Sequence, residues 1–138
     1  MGRDVPVMPG AAGVALAALL LGGCAWQGPA PLQTYPDMEP SASVLAVDKA
    51  AYKLVALRHI QTDREADGRL RITIELENLS DKDLPVQIKT VFRSSEGRLT
   101  GDESSWQMIV LNGGATERYD MVSMSADAGQ FEVQVKTP

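Results

Sequence analysis

Histidine, cysteine and aromatic residues are scarce in this chain. Its 138 residues include one histidine, one cysteine and 5% aromatic side chains. A single histidine provides only one histidine candidate for acid–base catalysis. A single cysteine cannot form an intramolecular disulfide. The formal net charge of −5 gives no attraction to phosphate backbones, which excludes a nucleic-acid-binding protein. We expect no cofactor.

Long apolar runs are also missing. The longest covers residues 11–21, about half of the ~20 residues that a membrane-spanning helix needs. Its length is typical of a signal-peptide core, and its end carries small residues that fit the narrow groove of a lipoprotein signal peptidase. We therefore predict a signal peptide over residues 1–23, with an uncleaved membrane anchor as the alternative. The recognition residues are Leu21, Gly22 and Gly23.

Cys24 follows this recognition sequence directly. An exported protein would carry it as an unpaired thiol in an oxidising compartment unless the sulfur is chemically modified. Acylation of Cys24 meets that need and anchors the chain to a membrane. The next residue is Ala25 and not aspartate. This segment resembles that of bacterial lipoproteins, which move on to the outer membrane when aspartate is absent there, so the resemblance implies the periplasmic face of the outer membrane.

The composition changes again after the cysteine. Residues 24–43 are rich in proline and poor in large aliphatic side chains, so we expect a disordered tether that can hold a domain up to ~60 Å from the membrane. Residues 44–138 form a single small domain. A short helix within residues 41–52, capped by Ser41 or Ser43, is the one helical element expected.

Period-two alternation of apolar and polar residues dominates the domain. It is clearest over residues 69–78, where one face is apolar and the other charged. Further strands are expected over residues 54–61, 86–93, 106–111, 119–123 and 131–136. The pattern predicts an all-β, immunoglobulin-like antiparallel sandwich of six to seven strands, with the first and last strands at the edges. Such edges can bind a partner's strand, although Arg58 and His59 guard the first.

Two groups of residues suggest chemistry. Asp63, Glu65 and Asp67 alternate as in a calcium loop, but the remaining ligands of that motif are missing, and a solvated hairpin tip is the alternative. His59 is the only base for a hydrolase, and no Gly-x-Ser-x-Gly motif accompanies it. We accordingly predict no catalytic residues and no metal site, with the acidic loop as a weak candidate.

The two tryptophans have different expected roles. Trp106 is expected in the core opposite Phe92 and Phe131, with a ligand-stacking role as the alternative, because so small a core needs its few aromatics. Trp26 lies two residues after Cys24, where an indole suits the level of the lipid headgroups.

A longer stretch of the chain resembles a known family. It runs from Ile74 to Ile88, and shorter matching motifs follow at Val91-Phe92, Glu96-Gly97-Arg98, Trp106-Gln107, Val110-Leu111 and Gly113-Gly114. These motifs and the signal sequence are similar to the YcfL-type family of small periplasmic lipoproteins. The resemblance implies no established activity and no catalytic residues, and it associates the chain with envelope assembly.

Taken together, these features predict an outer-membrane lipoprotein that is not an enzyme and binds another envelope protein. A small-ligand or calcium-binding periplasmic module is the alternative, and a hydrolase comes third.

Overall fold

Two β-sheets packed face to face make up most of the described part of the protein. The computed structural model describes residues 26–39 and 41–138. Their elements are β1 (Ala30–Pro31), β2 (Gln33–Thr34), β3 (Val44–Ala46), α1 (Lys49–Leu54), β4 (Val55–Arg64), β5 (Leu70–Asn78), β6 (Leu84–Ser94), β7 (Leu99–Glu103), β8 (Gln107–Leu111), β9 (Thr116–Val122) and β10 (Ala128–Lys136). The predicted signal peptide and Cys24 lie outside the described residues.

The larger sheet has six strands in the order β1-β3-β10-β6-β7, and β8 also pairs with β6. The smaller sheet has the order β2-β4-β5-β9. Their facing sides form one apolar core, in which Phe92 is the largest of the fully buried side chains. The all-β sandwich predicted from the sequence is therefore confirmed.

The alternation in β5 shows why the prediction works. Leu70, Ile72, Ile74 and Leu76 are all buried, and they point to the core because successive strand residues point to opposite faces. The residues between them are more exposed and meet neighbouring strands on the outer face, except that Thr73 is itself buried. Burial of one face thus determines the register of the strand.

The predicted strand inventory needs correction. Ten strands are described instead of six or seven, because β1, β2, β3 and β7 carry too few residues or too weak an alternation to be recognised. Two short pairs, β10 with β3 and β2 with β4, are parallel. The prediction that the last strand is an edge is wrong, since β10 lies between β3 and β6.

The helix also begins later than predicted. Ser41 and Ser43 do not cap it; Asp48 does, accepting a hydrogen bond of 2.9 Å from the Ala51 amide. The same carboxylate accepts two hydrogen bonds from Thr137, which tie the helix to the chain after β10. Burial alone would raise the pKa of Asp48, but these hydrogen bonds outweigh it and lower the pKa below its usual value.

The expected disordered tether is also corrected in part. Residues 30–34, called the strap below, pair with both sheets: β1 binds β3, and β2 binds β4. Leu32 lies between these two strands, is 2% exposed, and donates its amide to the Val44 carbonyl at 3.1 Å. Burial of one leucine across the gap between the sheets offsets the low strand propensity of the prolines around it.

Replacement of Leu32 tests whether the strap belongs to the fold. We expect Leu32→Ala to lower the free energy of unfolding by about 2–4 kcal/mol, because it leaves a cavity between the sheets. Leu99→Ala is the matched control, since Leu99 is 66% exposed, and it should change stability by less than about 0.5 kcal/mol. Urea denaturation followed by circular dichroism measures both. Equal, negligible losses would show that the strap is a tether after all.

Candidate interaction surface

The acidic loop does not gather its carboxylates around one point. Asp63 accepts a hydrogen bond from Gln61, Glu65 from Arg71, and Asp67 from Arg69. The hydrogen bond from the Arg71 side chain is the main cause that lowers the pKa of Glu65. For Asp67 the main cause of the lowered pKa is the hydrogen bond from the Arg69 backbone amide. In the part of the chain that the structure describes, no group of three acidic, histidine or cysteine side chains is arranged to hold a metal ion.

His59 is an exposed residue on the outer face of β4. Its Nε2 atom lies 3.3 Å from Oε1 of Gln61 on the same strand. The residue opposite it on β5 is Glu75. No described serine hydroxyl hydrogen-bonds to the ring, so the geometry of a nucleophile and its base is not formed there.

Trp106 lies on the outer face of the six-stranded sheet and not in the core, which corrects the expected core position. Its ring is half-buried, and the Lys136 ammonium lies 4.2 Å from the ring centroid. The Lys89 ammonium is 5.8 Å from the same centroid and forms an ion pair of 2.9 Å with Glu103. Trp106 and the two lysines therefore form a cationic, aromatic platform on the outside of the sheet.

This platform continues along β8. Met108 and Val110 are 53% and 52% exposed, and in register they lie opposite Gln87 and Pro85 of β6 on the outer face. The five residues of β8 include no charge and no proline. Among the described residues, β8 pairs only with β6, so its other edge is open. We call this strand together with Lys89, Trp106 and Lys136 the β8 surface.

Both ends of β8 are held in place. At one end the Ser104 amide donates to the Thr90 carbonyl, and the Ser104 hydroxyl accepts from the Thr90 amide. At the other end the fully buried side chain of Asn78 donates to the carbonyls of Leu111 and Lys82, at 2.8 and 2.7 Å. The edge is therefore preorganised, which reduces the entropy lost when another strand pairs with it.

A tight backbone approach adds to this restraint. A Cβ atom at Gly113 would lie 2.5 Å from the Asp81 carbonyl oxygen, so only glycine lets the two turns meet. The Gly113 amide also donates to the Asp83 carboxylate at 3.1 Å. The turn that follows Asn78 and the Gly113-Gly114 pair thus have a structural role at the end of β8.

The other edges are protected. On β9, Glu117 lies opposite Leu76 and so points inward at the edge, while Arg118 and Asp120 form an ion pair of 2.9 Å on the outer face. Hydrogen bonds from Arg118 and then Thr73 lower the pKa of Asp120 and keep it charged. Beyond its pairing with β2, β4 carries exposed charged residues, and β1 and β2 have two residues each.

A cleft of about 270 Å³ separates β9 from the chain between β7 and β8. Phe92 and Met121 line it on the apolar side, and Ser104 and Gln107 on the polar side. Asp102, 5% exposed, accepts hydrogen bonds from the Met124 and Ser125 amides and so links the two sides. A strand added to β8 would place alternate side chains toward this cleft and toward Trp106.

Comparison with known proteins identifies the family. The family model described as "protein of unknown function (DUF1425)" matches residues 43–137 of the chain. The chain belongs to the DUF1425 family. A crystal structure of a DUF1425 member from Shewanella sp. pv-4 is similar with a TM-score of 0.57 and 27% identity, covering 71% of this chain and 93% of that one. No curated protein matches the chain.

A second solved structure supports the fold alone. The crystal structure of Campylobacter jejuni cj0090 has a TM-score of 0.60 and 16% identity, and the match covers 71% of this chain and all of that one. The family description assigns no activity, and the comparisons do not indicate a hydrolase. Among the described residues, none of the helices is long and apolar enough to cross a membrane.

Sequence reasoning missed the β8 surface. An uncharged run of apolar residues is typical of a buried strand. Trp106 was expected in the core because so small a core needs its few aromatics. A comparison of the strands could have identified it. Every other strand of five or more residues contains at least one charged side chain, whereas β8 contains none. β8 is thus an uncharged strand with two exposed apolar residues beside an open backbone edge.

Alanine replacements separate the platform from the core. We expect Trp106→Ala to lower the free energy of unfolding by about 1 kcal/mol, because it removes mainly surface contacts and cation–π interactions. Phe92→Ala should cost about 3–5 kcal/mol, since the side chain is 2% exposed in the centre of the core. Urea denaturation followed by far-ultraviolet circular dichroism compares them. Losses of equal size would contradict the surface position of Trp106.

Proposed function

We propose that this DUF1425 protein is a lipid-anchored periplasmic protein of the bacterial envelope that has no catalytic activity and binds another envelope protein. In this proposal residues 1–23 are removed and Cys24 is acylated. Ala25 directs the product to the outer membrane. The resemblance to YcfL-type lipoproteins and the position of Cys24 after Leu21, Gly22 and Gly23 support the anchoring.

The observation that carries the binding role is the difference between β8 and the other edges. Charges, inward-pointing Glu117 and short lengths protect the other edges, whereas β8 presents an uncharged backbone edge beside exposed Met108 and Val110. Backbone hydrogen bonds along such an edge supply affinity, and the side-chain positions supply specificity.

The chemistry of the surface also favours one class of partner. An extended segment paired with β8 would need apolar side chains facing Met108 and Val110. A carboxylate beside Trp106 would meet the ammonium groups of Lys89 and Lys136. We therefore propose an extended, apolar segment with an acidic residue at one end, contributed by an envelope protein.

Cross-linking in intact cells tests this role. A photoreactive amino acid at Met108 should give an adduct of one defined mass, because a paired strand lies against that side chain. Val110→Lys in the same chain should abolish the adduct, since it places an unpaired charge in the interface. Thr116→Lys, an exposed change on β9, is the matched control and should leave the adduct unchanged.

Mass spectrometry of the adduct identifies the partner. Recovery of only the most abundant lipoproteins, or an adduct that persists in Val110→Lys, would contradict a specific partner at β8. If Thr116→Lys also abolished the adduct, the loss would be an effect of added charge at any position and not of a contact at β8.

A further inference from the structure

The described chain begins at an aromatic contact with the helix. The rings of Trp26 and Tyr52 are 5.6 Å apart between centroids and tilted by 52°. Tyr52 is 38% exposed, so the pair lies at the surface and not in the core. Trp26 is only two residues after Cys24. The part of the fold next to the predicted acylation site is therefore α1.

The exposed side of α1 combines aromatic and basic groups. Ala51 is the buried residue of the helix, and Lys49, Tyr52 and Lys53 are exposed at the i, i+3 and i+4 positions of one face. We call these three residues and Trp26 the α1 face. Tryptophan and tyrosine are enriched at the level of lipid headgroups, and lysines near a bilayer are attracted to anionic lipids.

The α1 face is fixed to both sheets. The Gln33 side chain of β2 donates to the Tyr52 carbonyl at 2.8 Å and to the Lys53 carbonyl at 3.4 Å. The Asp48 cap binds Thr137 beyond β10. A contact made by α1 therefore orients the whole sandwich.

Covalent geometry limits the distance from the anchor. The Cα atoms of Cys24 and Trp26 can be at most about 7 Å apart, because each residue spans no more than ~3.6 Å. The ~60 Å expected for a disordered tether is not attainable while the strap remains paired with both sheets. Acyl chains on Cys24 would enter the bilayer beside Trp26.

We propose that the α1 face lies against the phospholipid headgroups, so that the sandwich stands on the membrane in one orientation. This inference rests on the proposed acylation of Cys24. The anchor makes the contact intramolecular, so two lysines and two aromatic rings suffice to bias an otherwise weak association. The net charge of −5 is distributed over the whole chain, and charges beyond ~8 Å from the membrane are largely screened at physiological ionic strength.

The orientation leaves the β8 surface accessible. None of its residues belongs to the α1 face, and the turn after β6, which contains Glu96, lies at the opposite end of the sandwich. Gln87 lies opposite Lys136, next to the contact between Thr137 and Asp48 of the helix cap. The seven residue steps from Gln87 to Ser94 place the far end of β6 roughly 23 Å from there, at ~3.3 Å per residue. β8 pairs with the half of β6 that is nearer α1. It lies at the opposite edge of the larger sheet from β1 and β3, so a partner strand can approach it from the side.

Spin labels at the two ends test the orientation. Acylated full-length protein is purified from membranes and reconstituted in vesicles of phosphatidylethanolamine and phosphatidylglycerol. Ala50→Cys on α1 and Glu96→Cys at the far end each carry one label, because the Cys24 sulfur is occupied. We expect the label at position 50 to be several-fold more sensitive to a nickel-chelating lipid, and the label at position 96 to a water-soluble nickel chelate.

Charge reversal is the further variant. Lys49→Glu with Lys53→Glu should reduce the sensitivity at position 50 to the nickel lipid and leave position 96 unchanged. If the N-terminal peptide has the acylated mass and both labels respond alike, the orientation is wrong while the anchor stands. If that peptide carries no acyl chain, the anchoring of the proposed function fails, and the orientation fails with it.

Discussion

Leu32 closes one side of the sandwich, and the layout of the molecule depends on that closure. Two sheets that each bury one face leave two open sides where their edges face each other. On one side the strap pairs with β3 of the larger sheet and β4 of the smaller one, and Leu32 is buried between them. A chain with no disulfide gains this link through backbone pairing and the burial of a single leucine.

The opposite side has no such strap among the described residues. There β8 and β9 form the edges of the two sheets, with a cleft between β9 and the chain before β8. The protein manages the two edges differently, since Glu117 points inward from β9 and β8 has no charge. On the closed side α1 contacts Trp26. The open side carries the only uncharged strand of five or more residues in the described chain.

Long strands were predictable from the sequence, whereas short ones were not. Leu70, Ile72, Ile74 and Leu76 alternate over a full strand, so burial of one face follows directly from the pattern. β1 and β2 have two residues each and no periodicity to read, and Pro31 argued against order. The predicted core position of Trp106 was wrong because hydrophobicity predicts that a side chain is buried but does not identify the groups that bury it. Here one of those groups is Lys136 on the outer face of the sheet. The partners of Asn78 and Gly113 required coordinates, since they join turns separated in sequence.

Hydrogen exchange of the full-length protein tests this closure most directly. The Leu32 amide donates to Val44, and the strap pairs with both sheets. Peptides that cover residues 30–34 should therefore exchange far more slowly than an unstructured chain, because their amides open only with the sandwich. Exchange of these peptides at the rate of a random coil, while β5 and β10 stay protected, would show that the strap is a free tether and would contradict the account.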